Sequence, residues 1–288
     1  MENVIQKIKR FVSVFFPFVD VSLSRENWIR DKLKKIEKNS KILDAGAGEC
    51  KYKKYCSHLV YESQDFCQYT GVGDGVGLQT KNWNTSNIDI ISDITSIPVG
   101  DLSYDVVLCT EVLEHVPHPE NAIKEFSRIL KVGGELILTA PFCSQTHFAP
   151  YHYCDGFNIY WYRKHLESNG FKIIEYKRNG NFFDYINQEL LRTPITLAKY
   201  SPIGIVSFIL YPFIIPLVLM IYALSKLSSG SEEQLCLGYH VLAKKNVLRY
   251  SAMYYLQFDL NYFFSYSNHV DYVFGYLKFE SFFRTLTG

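Results

Sequence analysis

An α/β fold built on a doubly wound, mostly parallel sheet is the architecture this sequence predicts. Three observations point to it. Short apolar runs with strand character alternate with segments of helical period along residues 41–243. Breakers such as Asn169-Gly170 close the helical segments. A turn of alternating alanine and glycine, residues 45–48, follows the first apolar run directly.

The elements can be taken in order. Ser24 is placed to cap a helix with Trp28, Ile29, Leu33 and Ile36 on one face, ended by Asn39 and Ser40. Residues 41–44 read as a buried strand and residues 58–64 as a second. Glycines recur over residues 71–77 with no helical period. A third strand is expected at 87–92, stopping at Asp93, and a fourth at 104–109. Pro119 opens a helix carrying Ala122, Ile123, Phe126, Ile129 and Leu130, closed by Gly133 and Gly134. A fifth strand follows at 135–139, a helix at 159–168, a sixth strand at 171–176 and a seventh at 235–243.

With 288 residues the chain can bury one large core or two small ones. A formal net charge of +1 gives no bulk attraction to a polyanion, so no nucleic-acid partner is expected. The basic stretch 32–38 is broken by Glu37 and reads as a solvated helix face. Seven cysteines, an odd number with no C-x-x-C pair, suit a reducing, cytoplasmic compartment. Cys109 lies in an apolar run and reads as a small core residue. Lys7, Lys9 and Arg10 precede a short apolar stretch at 11–19, but Asp20 and Arg25 follow it in place of a small-residue cleavage site. This segment reads as a helix that packs on the domain or lies on a membrane surface.

The sharpest motif is residues 43–49, Leu-Asp-Ala-Gly-Ala-Gly-Glu, at a strand end. Gly46 and Gly48 let a ligand approach the backbone closely. A dinucleotide site wants a third glycine and no anion next to its pyrophosphate, yet Lys51 stands at the third position and Asp44 precedes the turn. That argues against a dinucleotide-dependent dehydrogenase. A cationic ligand without phosphate, such as S-adenosylmethionine, fits the acid better. Asp65 lies about 20 residues on, at a second strand end, where a carboxylate can accept both ribose hydroxyls. Asp74 competes for that role, and spacing favours Asp65. Asp93 can meet an adenine amino group, with Ile94 offering a backbone N–H and an apolar face.

Together with residues 92–94 (Ser-Asp-Ile), 104–115 and 130–139, this turn resembles the successive motifs of class I S-adenosylmethionine-dependent methyltransferases, of the type 11-like kind. The resemblance covers about residues 41–243. It implies a Rossmann-like sheet of seven strands with strand seven antiparallel. It also implies that Asp44, Gly46, Gly48, Asp65 and Asp93 contact the cofactor, flanked by Ala45 and Ile94, with Thr110 and Glu111 beside its methionine end. The glycine-rich stretch departs from the family, which usually has a helix after strand two.

A sulfonium is an activated methyl donor, so in-line positioning in a water-poor site supplies much of the catalysis. An oxygen acceptor must also lose a proton. His115, His118, His147 and His152 surround the expected site in sequence. His147 and His152, in a loop after strand five, are the candidate bases, with His115 beside them. Glu111, Glu114 and His115 place two carboxylates and an imidazole within five residues, a set able to converge on a divalent cation such as Mg2+. The string is similar to one used for metal in small-RNA 2′-O-methyltransferases and in ubiquinone-pathway O-methyltransferases.

Residues 203–224 contain no charge and are long enough to cross a bilayer. Strands six and seven flank them and belong to one sheet, so a helical hairpin bent near Pro212 to Pro216 is expected, touching a membrane through residues 201–227. The organisation expected is therefore N-terminal helices over 1–40, a methyltransferase domain over 41–245 with an insertion at 181–233, and an aromatic-rich tail over 246–288. The activity expected is O-methylation of a small molecule, glycan or lipid-linked substrate at a membrane surface. A catalytically silent, cofactor-binding membrane scaffold is the alternative of another class.

Overall fold

The computed structural model describes residues 21–246. The N-terminal basic and apolar segment and the tail beyond Asn246 lie outside the described residues.

Seven strands form one sheet in the order β3-β2-β1-β4-β5-β7-β6. They are β1 Lys41–Ala45, β2 Val60–Asp65, β3 Ile90–Ile91, β4 Tyr104–Thr110, β5 Leu130–Pro141, β6 Phe171–Asn179 and β7 Gly238–Lys245. β1 pairs in parallel with β2 and with β4, and β4 with β5. β7 runs antiparallel between β5 and β6. The resemblance's expectation of an antiparallel seventh strand is met. The strand order turns back between β1 and β4, and loops leaving the two carboxyl ends there diverge and open a crevice.

Period-two alternation divides the core. Val106 and Leu108 of β4 join Ile42 and Ile137 beneath α1 (Val21–Leu33), which supplies Trp28, Ile29 and Leu33. Val107 and Cys109 face the opposite way, toward Ile123 and Phe126 of α2 (Pro119–Ile129) and Tyr162 and Leu166 of α3 (Ile159–Ser168). Cys109 is thus the core residue its apolar neighbours imply. All seven cysteines are free thiols. Asn158 caps α3 through its side chain, which accepts from the N–H groups of Tyr160 and Trp161.

Several boundaries differ from the sequence expectation. Ser24 lies inside α1 and does not cap it. The helix ends at Leu33, because the chain must turn into β1; Asn39 takes a left-handed φ of 66° and donates its N–H to His58. β3 is only two residues long, since Asp89 turns back to hold the Ser63 N–H and hydroxyl. Gly133 and Gly134 do not end α2. Leu130 is already extended, and the glycines sit in the irregular start of β5, where a Cβ on Gly134 would lie 2.9 Å from the Asp105 carbonyl.

The insertion between β6 and β7 is helical, as expected. α4 (Phe182–Tyr200) begins with a reciprocal cap between Asn181 and Asp184. A short 3₁₀ segment, Gly204–Leu210, leads into α5 (Tyr211–Ser225). The chain reverses at residues 201–203 and not near Pro212 and Pro216. Pro212 falls in the first turn of α5, where its missing N–H costs nothing, and the helix carries Pro216 without a break.

Candidate functional site

A cavity of about 420 Å³ opens at the carboxyl ends of β1, β2 and β4, on the crevice the strand order creates. Gly46, Asp65, Asp93, Ile94, Glu111 and His115 line it. The floor is the turn after β1. Gly46 and Gly48 have φ of 71° and 52°, and added Cβ atoms would lie 2.4 Å from Val112 and from Trp83 respectively. No other residue fits this turn.

The N–H groups of the turn are already taken. Gly46 and Ala47 donate to the Gln64 carbonyl at 2.8 and 2.9 Å. Gly48 donates to Asp65 Oδ2 at 2.9 Å, and Cys67 to Asp65 Oδ1 at 2.8 Å. Asp65 is therefore buried and fixed on the cavity wall at the end of β2. Asp74 spends its carboxylate on its own turn, accepting from Val76 N–H at 2.9 Å, and stands off the wall. Geometry thus separates the two candidate acids. Asp93 holds Thr95 in a tight turn through Oδ1.

Asp44, Ala45, Gly48 and Thr110 lie behind the lining. Asp44 is buried, with the Tyr61 hydroxyl donating to it at 2.7 Å. Burial pushes its carboxyl up to about 7, the Tyr61 hydroxyl works against this, and Asp65 adds to it.

Glu111 ends β4 in a left-handed conformation, φ 54°. Its N–H donates to the Thr139 carbonyl at 2.8 Å, and the Thr139 hydroxyl donates to Oε1 at 3.0 Å. Arg25 of α1 forms an ion pair with its other oxygen. Burial alone would lower the Arg25 pKa, but Glu111 and Tyr52 outweigh it and hold the guanidinium charged. Its Nε has no hydrogen-bond partner among the described residues. No motif marks Arg25 in the sequence.

Glu114 is buried, and neither of its oxygens has a hydrogen-bond partner among the described residues. His115 Nδ1 lies 2.5 Å from the Tyr151 carbonyl and His147 Nδ1 2.8 Å from the Gln145 carbonyl. A carbonyl only accepts, so each Nδ1 carries a proton and each Nε2 is left to face the carboxyl. Those two Nε2 atoms face Glu114 Oε1 at 3.8 and 3.9 Å. Burial, then His147, push the His115 pKa down to about 3. Burial, then Glu111, push Glu114 well above the usual carboxylate range. His152 completes the cluster, its ring 4.7 Å from that of His147 and its Nε2 3.2 Å from Ser144 Oγ. Burial and His147 keep it neutral-leaning as well. Glu111 is drawn to Arg25, so the three donors that converge, within 4.8 Å, are Glu114, His115 and His147.

The cavity roof is aromatic. Phe148 stacks on Tyr69 at 4.5 Å and on His115 at 5.1 Å, with Trp83 edge-on at 5.3 Å. The glycine-rich stretch builds this roof. It is laid along residues 146–149 by bonds from Leu78 N–H to Thr146 O, Phe148 N–H to Leu78 O and Asp74 N–H to Ala149 O. A Cβ on Gly73 or Gly77 would come within 1.9 or 2.3 Å of those carbonyls. Close backbone approach thus explains why glycines replace the usual helix.

Residues 43–138 match a family model described as a methyltransferase domain. Ubiquinone biosynthesis O-methyltransferases of Pseudomonas savastanoi pv. phaseolicola and Pseudomonas aeruginosa PAO1 are 28% and 29% identical to the chain over 136 residues. Each match covers 44% of this chain and 54% of the relative, so the chain matches about half the length of these curated relatives. Among solved structures, the YcgJ protein of Bacillus subtilis is 12% identical, covering 77% of this chain and 97% of its own, with a TM-score of 0.45. Phosphoethanolamine N-methyltransferase 2 of Haemonchus contortus, in complex with S-adenosyl-L-methionine, is 14% identical over 77% of this chain and 52% of its own, with a TM-score of 0.44.

Proposed function

From the premise that the chain carries a class I S-adenosylmethionine-dependent methyltransferase domain, we propose that it transfers a methyl group from S-adenosylmethionine to an oxygen of a small acceptor. The acceptor is free or joined to a glycan or lipid, and is met at a membrane surface. One observation carries the choice of cofactor. The N–H groups of the glycine turn, which would cradle a pyrophosphate, are already held by Gln64 and Asp65. The turn presents a carboxylate where a dinucleotide needs donors.

The lining residues fit the cofactor. Asp65 accepts the ribose hydroxyls. Asp93 and the Ile94 N–H meet the adenine edge, and the Ile94 side chain offers an apolar face. Glu111 faces the ammonium of the methionine end, and the Arg25 guanidinium, outside the lining but ion-paired with Glu111, suits the carboxylate. Bound S-adenosylmethionine supplies an activated methyl on a sulfonium. The aromatic roof excludes water from the transfer. An imidazole of the loop after β5, His147 or, where His147 is taken up by a cation, His152, takes the acceptor's hydroxyl proton as the oxygen becomes a nucleophile.

Glu114, His115 and His147 would hold a divalent cation. The fit rests on an unpartnered buried carboxyl and two Nε2 atoms that face it, each ring oriented by a carbonyl. Two imidazoles and one carboxylate suit a first-row transition ion better than Mg2+. Such an ion would lower the pKa of an acceptor hydroxyl.

Incubating the protein with methyl-labelled cofactor and a cell extract tests the reading. Label should pass to a small acceptor with wild type and be lost with Asp65→Ala. An extract that stays unlabelled, with the protein folded and cofactor bound, would count against catalysis.

A further inference from the structure

The helical hairpin between β6 and β7 leaves an apolar surface that nothing in the transfer chemistry uses. Its 22 residues from Gly204 to Ser225 contain no charged side chain and are mostly exposed. Ile205, Ile209 and Phe213 are 77, 67 and 75% exposed. A monomer in water rarely keeps so continuous an apolar face open. At about 1.5 Å per residue the segment is long enough to cross a bilayer.

Topology forbids a single crossing. β6 and β7 are hydrogen-bonded neighbours, with Tyr176 opposite Val241, so the insertion leaves and returns at one sheet edge. Both ends of the hairpin therefore stay on the same side of any bilayer. At each end a lysine sits over a tyrosine ring, Lys199 on Tyr200 at 4.9 Å and Lys226 on Tyr222 at 4.2 Å. Basic and aromatic side chains framing an apolar helix complement headgroups, anionic ones above all.

The hairpin also touches the walls of the cleft. Lys199 donates to the Gly77 carbonyl at 2.9 Å, in the glycine-rich stretch that builds the roof. Gln145 donates to Glu189 of α4 at 3.2 Å, and the Tyr185 hydroxyl to Cys143 Sγ at 3.5 Å. The loop that carries His147 and His152 is thus braced by the helix that carries the apolar segment.

We infer that the 204–225 face seats in a lipid bilayer surface, and that the acceptor is an amphiphile whose polar head reaches the histidine cluster while its apolar part stays in the lipid. The lipid docking stands on the hairpin alone; the acceptor class rests on the methyltransferase reading above.

Flotation of the full chain with phosphatidylcholine vesicles, with and without phosphatidylglycerol, tests the docking. Wild type should float, more strongly with the anionic lipid. The variant Ile205→Lys/Ile209→Lys/Phe213→Lys should lose about tenfold or more of that binding while keeping its circular dichroism spectrum and its affinity for adenosylhomocysteine. Wild type that remains in the dense fraction, or that hides the face in a stable dimer without floating, overturns the docking. A variant that floats as well as wild type does the same. Methyl label from the cofactor should partition into the organic-solvent extract; label confined to the aqueous pool overturns the amphiphile. Absence of adenosylhomocysteine binding would strike the methyltransferase reading and leave the flotation result standing.

Discussion

Gly48 donates its N–H to Asp65 Oδ2 at 2.9 Å, and through that bond the glycine turn after β1 and the acid at the end of β2 form one rigid unit. The carboxylate keeps further lone pairs for a ligand, since a carboxylate accepts up to about four hydrogen bonds. Any ligand held by Asp65 is therefore coupled to the geometry of the turn.

Replacing Asp65 should harm both. Asp65→Asn retains one acceptor and loses the charge, so affinity for adenosylhomocysteine should fall by about 10- to 100-fold, the range for charge-assisted hydrogen bonds. Isothermal calorimetry measures it. An unchanged affinity would remove Asp65 from the site.

The glycines should not be equivalent. Gly46→Ala forces a Cβ to within 2.4 Å of Val112 at positive φ and should destabilise the fold by about 2 kcal/mol or more. Gly75 also has a positive φ, 80°, but a Cβ there meets nothing within 4 Å. Gly75→Ala should cost only the conformational strain, about 1 kcal/mol. Urea denaturation of the two variants separates clash from strain.

On the proposed function, Asp44, buried just behind the cavity lining, should make affinity for a cationic ligand depend on pH. Its folded pKa of about 7 stands above its ordinary value of 3.8. The folded chain therefore holds a proton that the unfolded chain has released between those values. This group's contribution to stability is full below pH 3.8 and is lost as pH rises to 7. Bound sulfonium favours the ionised carboxylate, so S-adenosylmethionine affinity should rise as pH climbs through about 7. Asp44→Asn should flatten that rise. Titrations at several pH values, with neutral-sulfur adenosylhomocysteine as the control, check it.

The buried carboxyl of Glu114 should report a metal without any turnover. Mn2+ should raise the melting temperature of wild type and leave Glu114→Gln and His147→Ala unmoved. In the absence of metal, Glu114→Gln should be as stable as wild type or more so, because it removes an ionisable group from a site that disfavours charge. A wild-type melting temperature indifferent to Mn2+, Zn2+ and Mg2+ would leave the cluster a proton-sharing device only.

Much of the glycine turn and the acid beside it, the part proposed to hold the cofactor, was legible in the sequence because it is local. Gly46 and Gly48 follow a buried strand, and Asp65 falls at the spacing that ends the next one. Local pattern could not show that Asp44 turns behind the cavity toward Tyr61, since that depends on which face of β1 the neighbouring strand covers. Arg25 was invisible for a related reason: it meets Glu111 only once α1 folds across the sheet. For the glycines at 73 and 77 the sequence shows only the absence of a helical period. Their purpose lies in the Thr146 and Ala149 carbonyls, a contact between distant loops that no periodicity records. The hairpin's apolar character was plain, but its bend was not, because prolines within the first turns of a helix need not break it.

Calorimetric titration of the full chain with adenosylhomocysteine and, separately, with NADH tests the central claim most directly. The structure's occupied turn and Asp65 carboxylate predict saturable, one-to-one binding of adenosylhomocysteine, weakened in Asp65→Asn, and no heat from NADH. Saturable NADH binding with no adenosylhomocysteine binding would contradict it.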